Sequence, residues 1–185
     1  MNLRLFIAIN FNDDFRKMIG NKVNELKTKF TNYDFIRFLP PENWHLTILF
    51  LGYQNEEKLN TIQTIVKKYN LLDKVAINFN SITYGPINQT PRMIWINTNN
   101  KTSQLLGQMQ QKISNDLLSH QISFQQENRT FNGHITIARF LKSSFFQKSP
   151  LPSLNINLNW QINSYDIVLM QSYLSKSGAH YKIIG

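Results

Sequence analysis

The stretch His45-Leu46-Thr47-Ile48 recurs 89 residues later in the chain as His134-Ile135-Thr136-Ile137. In an extended strand successive side chains point to opposite faces, so the histidine and the threonine of each stretch share one face. The apolar residues between and after them share the other face. Each stretch therefore predicts a half-buried strand that presents an imidazole and a hydroxyl group on its polar side.

Two such strands facing one another would combine two titratable bases with two hydroxyl donors. That set suits a phosphate ester, because one imidazole can take a proton from water while the other gives one to the departing oxygen. The residues alone do not decide which histidine takes which role, since two coupled groups titrate as a unit. The alternative is that two unrelated histidines precede a threonine by chance. His120 and His180 lack this context, which predicts ordinary surface or turn positions for both.

Length and composition predict one packed domain over residues 1–185, with 42% hydrophobic and 12% aromatic residues. No segment approaches the roughly 20 apolar residues of a membrane span, and the N-terminus lacks the regions of a secretory signal. We therefore expect a cytoplasmic protein without a membrane partner. The absence of cysteine excludes thiol nucleophiles and thiolate metal sites. The formal net charge of +9 favours a polyanion such as RNA, although a compositional bias would give the same excess of lysine.

Periodicity predicts an α+β fold with three amphipathic helices. The stripes on them are Phe15, Ile19, Val23, Leu26 and Phe30; Leu59, Ile62, Val66 and Tyr69; and Leu105, Met109, Ile113 and Leu117. Strands are predicted at 3–9, 35–38, 75–83, 92–98, 167–170 and 181–184, with a surface loop at 142–153 and a hairpin turn at 175–178. Trp44, which precedes the first histidine, is predicted either to line the site or to pack in the core.

The order of these elements indicates an internal duplication. A strand, a helix and a loop lead to each His-x-Thr stretch, and 39 residues separate Phe6 from His45 and Trp95 from His134. Two halves related by a pseudo-two-fold axis would place the two histidines opposite one another. No obligate protein partner is indicated, and we expect a monomer.

Together with their flanking residues, these motifs resemble the two-histidine phosphoesterases, and most closely the RNA 2',3'-cyclic phosphodiesterases, also known as 2'-5' RNA ligases. The resemblance covers most of the chain. It rests on Arg4-Leu5-Phe6-Ile7-Ala8-Ile9, Asn43-Trp44-His45-Leu46-Thr47, Phe50-Leu51-Gly52, His134-Ile135-Thr136-Ile137-Ala138-Arg139, and residues 172–181.

The resemblance implies a bilobal α+β fold, with two pseudo-symmetric lobes of antiparallel sheet and outer helices around a central cleft. It also implies hydrolysis of RNA 2',3'-cyclic phosphate ends, or of small cyclic nucleotides, to 2'-phosphomonoesters without metal or cofactor. The resemblance further implies that His45 is the proton donor to the leaving 3'-oxygen and that His134 is the base that activates water. Thr47 and Thr136 would hold the phosphate oxygens.

Three further positions qualify the resemblance. Arg139 has the right charge to bind the phosphate or to stack on a base, yet simple alternation puts it on the face opposite His134, so it contributes only if the strand bends or ends near Ala138. The alternative is a surface or salt-bridging arginine. Gln171 stands where the family often has an acidic residue, and Gly133 where a proline commonly precedes the second histidine.

The same residues are compatible with other activities. RNA end joining is the reverse of the hydrolysis, and 2'-5' linked oligonucleotides are another substrate for the same residues. From a different class, a catalytically silent module would use the site only to hold RNA ends.

Overall fold

The computed structural model describes residues 2–72, 74–127, 129–141, 150–175 and 178–185, and it has the predicted α+β class. Three helices are present in these ranges: α1 (Asp13–Lys29), α2 (Leu59–Asn70) and α3 (Asn100–Ser119). Nine strands accompany them: β1 (Asn2–Phe11), β2 (Ile36–Phe38), β3 (His45–Asn55), β4 (Ile77–Gly85), β5 (Met93–Thr98), β6 (His134–Phe140), β7 (Asn155–Ile162), β8 (Tyr165–Ser175) and β9 (Gly178–Ile183).

All the strands join one antiparallel sheet in the order β7-β4-β5-β6-β3-β1-β8-β9, and β2 adds to β6. The two His-x-Thr stretches begin β3 and β6, which are neighbours at the centre of this order. On either side of them lies a strand that leads into a helix, β1 or β5, and then two further strands. This arrangement is the one that the predicted duplication requires.

The helices cover one face of the sheet. Their buried residues join a single core cluster with the side chains of one strand face, such as Ile7 and Ile9 of β1 and Leu46 of β3. A small separate cluster on the opposite face contains Phe6, Ala8, Val168 and Met170, with Tyr181 packed against it. Because alternate residues of β1 serve the two clusters, the sheet separates them.

Matching caps begin α1 and α3. Asn12 and Asn99 both adopt φ −69° and ψ 166°, and their side-chain oxygens accept hydrogen bonds from the backbone N–H groups of Phe15 and Thr102. An asparagine at this position satisfies one of the donors that a helix N-terminus leaves unpaired. The same device therefore starts the helix of each half.

The boundaries differ from the sequence predictions in several places. The predicted second helix starts with a 3-10 turn at Glu56–Lys58, the predicted strand at 75–83 runs from Ile77 to Gly85, and that at 167–170 is the middle of β8. β7 was not predicted. The predicted loop at 142–153 and the turn at 175–178 lie partly outside the described residues. No described helix is long and apolar enough to cross a membrane.

Candidate active site

The predicted alternation of the His-x-Thr strands is confirmed. His45 and Thr47 are half-buried, whereas Leu46 and Ile48 are at most 1% exposed and belong to the core under the helices. The β6 stretch repeats the pattern, with His134 and Thr136 half-buried and both isoleucines fully buried. We call the side of the sheet that carries the four polar residues the histidine face.

The two strands meet where the two motifs lie. Leu46 pairs with Ile135 in antiparallel register, and this is the single residue pair that joins β3 to β6. Continued by one residue on either side, that register would set His45 opposite Thr136 and Thr47 opposite His134. The two motifs therefore start side by side on the histidine face.

Both imidazoles are held by the same backbone contact. Nδ1 of His45 lies 2.8 Å from the carbonyl oxygen of Asn43, and Nδ1 of His134 lies 2.8 Å from that of Asn132. A carbonyl oxygen accepts only, so each Nδ1 carries a hydrogen and donates it. Nε2 is then the nitrogen of each ring that can exchange a proton with a bound molecule.

Aromatic side chains support each imidazole from below. The indole of Trp95 stacks on His134 with ring centroids 3.9 Å apart and an interplanar angle of 24°. His45 contacts Phe6 and Tyr181, with ring centroids at 5.0 Å and 4.8 Å. These apolar surfaces remove water from the rings, which favours their neutral forms.

The pKa values follow from this burial. Burial lowers the pKa of His45 to about 4, and the contact with Asn43 acts in the opposite direction. The positive charges of Arg139 and Arg16, and that of His134 when it is protonated, lower the pKa further. Burial also lowers the pKa of His134, with a smaller contribution from the charge of Arg129. Both rings are therefore neutral at pH 7 in the free protein, and a bound anion would shift both values upward.

Arg139 lies on the histidine face, contrary to the expectation from simple alternation. Along β5, Trp95 pairs with Thr136 and the adjacent Ile94 with Ala138, so Ile137 is the extra residue of a β-bulge. The bulge reverses the alternation after Thr136 and returns Arg139 to the side of His134. Its charge lowers the pKa of His45, which places the guanidinium within electrostatic range of that ring.

β3 carries the matching bulge at Ile48, because Ala8 pairs with Thr47 and the adjacent Ile7 with Leu49. The two halves thus share the motif, the Nδ1 contact and the bulge. They differ two residues after the bulge, where β3 has Phe50 and β6 has Arg139.

Arg16 of α1 is a neighbour of the site that the sequence did not indicate. Its guanidinium donates to Asn10 Oδ1 at 2.5 Å, to the carbonyl oxygen of Phe11 at 3.1 Å and to that of Pro41. Asn10 pairs with His45 across β1 and β3. Arg16 thus links α1 to the residues around His45. The apolar stripe from which α1 was predicted does not include Arg16, so nothing in the sequence indicated this contact.

Trp44 has the packing role of its two predicted alternatives. It is 2% exposed, and its indole N–H donates to the carbonyl oxygen of Leu39 at 3.1 Å. His120 ends α3 and His180 lies on β9, both exposed as predicted.

The structure also accounts for glycine before the second histidine. The N–H group of Gly133 donates to Ser103 Oγ at 3.2 Å, and a Cβ atom there would lie 2.6 Å from Thr98 Oγ1. A proline could make neither the hydrogen bond nor the close approach. Among the described residues, no three His, Asp or Glu side chains group so that they could share a metal ion.

Comparisons with known proteins agree with this geometry. The family model of the AKAP7 2'5' RNA ligase-like domain matches residues 5–185. The RNA 2',3'-cyclic phosphodiesterase of Archaeoglobus fulgidus is 24% identical over 182 residues, which is 97% of each chain, and that of Methanocaldococcus jannaschii is 26% identical over 185 residues, 98% of each.

Solved structures share the fold. TT0787 of Thermus thermophilus superposes with a TM-score of 0.75 at 22% identity, covering 99% of this chain and 96% of that one. E. coli LigT complexed with 3'-AMP gives 0.70 at 19% identity, with 100% and 97% covered. The open antiparallel sheet with helices on one face is therefore an architecture known from solved proteins.

Proposed function

Because the chain belongs to the family of AKAP7 2'5' RNA ligase-like domains, which are two-histidine phosphoesterases, we propose that it hydrolyses 2',3'-cyclic phosphate ends of RNA to 2'-phosphomonoesters. The observation that carries this proposal is the duplicated imidazole. His45 and His134 each hold Nδ1 on a backbone carbonyl, so that Nε2 is the nitrogen open to proton exchange. The relatives named RNA 2',3'-cyclic phosphodiesterase support the same reaction.

The proposed reaction is one displacement at phosphorus. His134 Nε2 takes a proton from water as its oxygen bonds to phosphorus, the bond from phosphorus to the 3'-oxygen breaks, and protonated His45 gives its proton to that oxygen. The product carries a 2'-phosphate and a free 3'-hydroxyl. Acid and base roles of this kind each contribute typically about 10²–10⁴-fold.

His45 must be protonated when it acts as the acid, although its pKa in the free protein is about 4. The substrate itself supplies the difference, because a phosphate anion close to the ring favours the charged imidazolium. Burial, together with the positive charges around it, keeps His45 neutral until the anion arrives. The division of roles follows the family pattern for these two positions.

The neighbouring polar groups would hold the phosphate. Thr47 and Thr136 share the histidine face with the two imidazoles, and their hydroxyl groups can donate to the non-bridging oxygens. Arg139 would balance the negative charge that builds up on those oxygens, since its planar guanidinium suits two phosphate oxygens at once. Hydrogen-bond donors placed in advance stabilise the transition state more than they stabilise the substrate.

We further propose that residues 1–185 act as one phosphoesterase domain and as a monomer, without a metal or cofactor. The continuous sheet supports a single unit, because β3 of one half hydrogen-bonds to β6 of the other. The net charge of +9 suits an RNA substrate.

The proposal is tested with 2',3'-cyclic nucleotides and with RNA that ends in a cyclic phosphate, identifying the phosphate isomer that forms. We expect the 2'-phosphomonoester, in the presence of EDTA as in its absence. His45→Ala and His134→Ala should each lose turnover by several orders of magnitude while keeping the melting temperature close to that of the wild type. His120→Ala, which removes an exposed histidine, should keep full turnover.

The same assay distinguishes the alternative functions. A joined product with 5'-hydroxyl RNA would indicate ligation, and cleavage of 2'-5' linked oligonucleotides would indicate that phosphodiesterase activity instead. RNA binding that survives both histidine substitutions, without turnover in the wild type, would indicate an end-binding module and overturn the proposal.

A further inference from the structure

Two aromatic side chains of β3 remain exposed although the strand lies inside the sheet. Phe50 is 52% exposed and Tyr53 is 69% exposed, and both pair with residues of β1, beyond the point where β3 meets β6. Large apolar side chains that are exposed together mark interaction sites more often than single exposed apolar residues do.

Successive bulges bring both rings to the histidine face. The bulge at Ile48 turns Phe50 to that side, where its ring centroid lies 6.0 Å from that of Phe6, whose ring in turn contacts His45. A second extra residue, Leu51, lets Leu5 pair with Gly52 and Arg4 with Tyr53. Gly52 has φ +67°, a conformation that glycine adopts without strain. Without the second bulge Tyr53 would point toward the helices.

Arg4 completes this surface. It alternates with Phe6 along β1, so it shares the histidine face, and it is the cross-strand partner of Tyr53. Its side chain is exposed. Arg4 lies six residues along β1 from Asn10, the partner of His45, which is about 20 Å of strand on the same face. A guanidinium beside an exposed phenol ring combines the two features that bind single-stranded nucleic acid: a cation for the backbone and a ring for a base.

The two halves differ in which kind of group they present at matching positions of this surface. Phe50 pairs with Phe6 on β1, and the matching position on β6, Arg139, pairs with Met93 on β5. One half thus offers a flat apolar ring at the position where the other offers a guanidinium. A nucleotide end has the same division, with a base on one side and a charged phosphate on the other.

We propose that Phe50, Tyr53 and Arg4 form a track for the RNA nucleotides that precede the cyclic phosphate, with the rings stacking on bases and Arg4 contacting a backbone phosphate. This inference rests on the proposed function and names the part of the substrate that lies outside the reacting group. Since every base has a flat face, the track accepts RNA of any sequence. The enzyme therefore prefers RNA ends to cyclic mononucleotides.

The test compares kcat/KM for a 2',3'-cyclic mononucleotide with that for a tetranucleotide ending in a cyclic phosphate. Stacking on one aromatic ring contributes about tenfold or more, so Tyr53→Ala and Phe50→Ala should each lower the ratio of tetranucleotide to mononucleotide kcat/KM by about that factor, mainly through KM. Tyr53→Phe should keep the ratio, whereas Tyr53→Leu should not. Arg4→Gln should reduce the salt dependence of tetranucleotide binding by about one unit of slope.

Leu72→Ala is the matched control, because Leu72 is 53% exposed in the turn after α2 and off the track. It should leave both substrates unaffected. A wild-type ratio in Phe50→Ala and Tyr53→Ala would overturn the track.

Fluorescence anisotropy with a labelled tetranucleotide that ends in a 2'-phosphate separates this inference from the reaction. If the wild type turns over neither substrate, the proposed reaction fails, and binding weakened by Tyr53→Ala but not by Leu72→Ala supports the track. Equal binding by both variants overturns it.

Discussion

The indole of Trp95 stacks on the imidazole of His134 with ring centroids 3.9 Å apart. On its other side the indole lies against Gly85, where an added Cβ atom would sit 2.3 Å from Trp95 Cδ2. The position of His134 is therefore set by a stack of backbone, indole and imidazole across β4, β5 and β6. Such a stack leaves no space for a side chain at Gly85.

Gly85→Ala should impair turnover without touching a polar group of the site. The methyl group must displace Trp95, and with it His134, and a shift of about 1 Å in a catalytic group can cost on the order of 100-fold. We expect a fall of that order in kcat with little change in KM. Steady-state kinetics and the melting temperature would be measured together.

The control for this change is Gly20→Ala in α1. A Cβ atom there meets only Trp44 Cη2 and Cζ3, at 3.7 Å and 3.9 Å, and the residue lies inside the helix. Alanine should stabilise that position by about 0.5–1 kcal/mol and leave kcat unchanged. Equal kcat values for the two variants would contradict the proposed role of the stack.

Alternation in the sequence was enough to predict the two faces of β3 and β6 as far as each threonine. It failed beyond that point, because a bulge depends on how a strand pairs with its neighbour. The pairing of Ile94 and Trp95 around Ile137 is a contact between residues far apart in the chain, and it alone decides the face of Arg139. For the same reason, alternation alone could not predict the face of the sheet on which Tyr53 lies.

The motifs also predicted the family, which is confirmed. Local periodicity predicted the helices and most of the strands. Arg16 and Trp95 were missed as neighbours of the histidines for a common reason. Each lies in a segment whose periodicity describes helix or strand packing, and the contact that matters is made across the fold. Their roles could be assigned only after β1, β5 and α1 had been placed.

Stability should depend on pH through His45. Its pKa falls from 6.5 to about 4 on folding, so between these values the unfolded chain binds the proton more readily. The free energy of unfolding should therefore fall as the pH drops from 6.5 towards 4, by roughly 1–3 kcal/mol, and should be insensitive to this group above pH 6.5. Urea denaturation at pH 7.5, 6 and 4.5 measures the slope.

His45→Gln should reduce this dependence, since the variant has no imidazole to protonate at that position, and the lowered pKa of His134 accounts for the slope that is left. Inorganic phosphate should also reduce the dependence in the wild type, because the anion stabilises protonated His45 in the folded state. A wild-type stability that rises as the pH falls through this range would show that His45 is not held neutral by the fold.

Arg139→Gln should raise the pKa of His45, since the charge of Arg139 contributes to lowering it. The same change should weaken the binding of a 2'-phosphomonoester, about tenfold or more if the guanidinium contacts the phosphate. Proton NMR of the imidazole Cε1–H resonances over pH follows each histidine separately. Arg129→Gln is the matched control, because Arg129 acts on His134, whose pKa it should raise instead.

Gly133→Pro would test the hydrogen-bond network immediately before His134. The N–H group of Gly133 donates to Ser103 Oγ, and its carbonyl oxygen accepts from Thr98 N at 2.9 Å and Thr98 Oγ1 at 3.1 Å. A proline removes the donor and brings a ring against Thr98, immediately before His134. We expect a loss of about 1–3 kcal/mol in the free energy of unfolding and a fall in kcat.

Ser103→Ala separates the two effects of that substitution. It removes the acceptor of the Gly133 N–H group and the hydroxyl that lies 2.8 Å from Thr98 Oγ1, but it adds no atoms near Thr98. It should therefore cost stability while His134 keeps its place and kcat stays near the wild-type value. If Gly133→Pro instead matches the wild type in both unfolding and kcat, the network around Thr98 is not what positions the start of β6. A loss in Gly133→Pro that exceeds the loss in Ser103→Ala, and that includes kcat, assigns the difference to the ring that the proline places against Thr98, because only the proline adds atoms there.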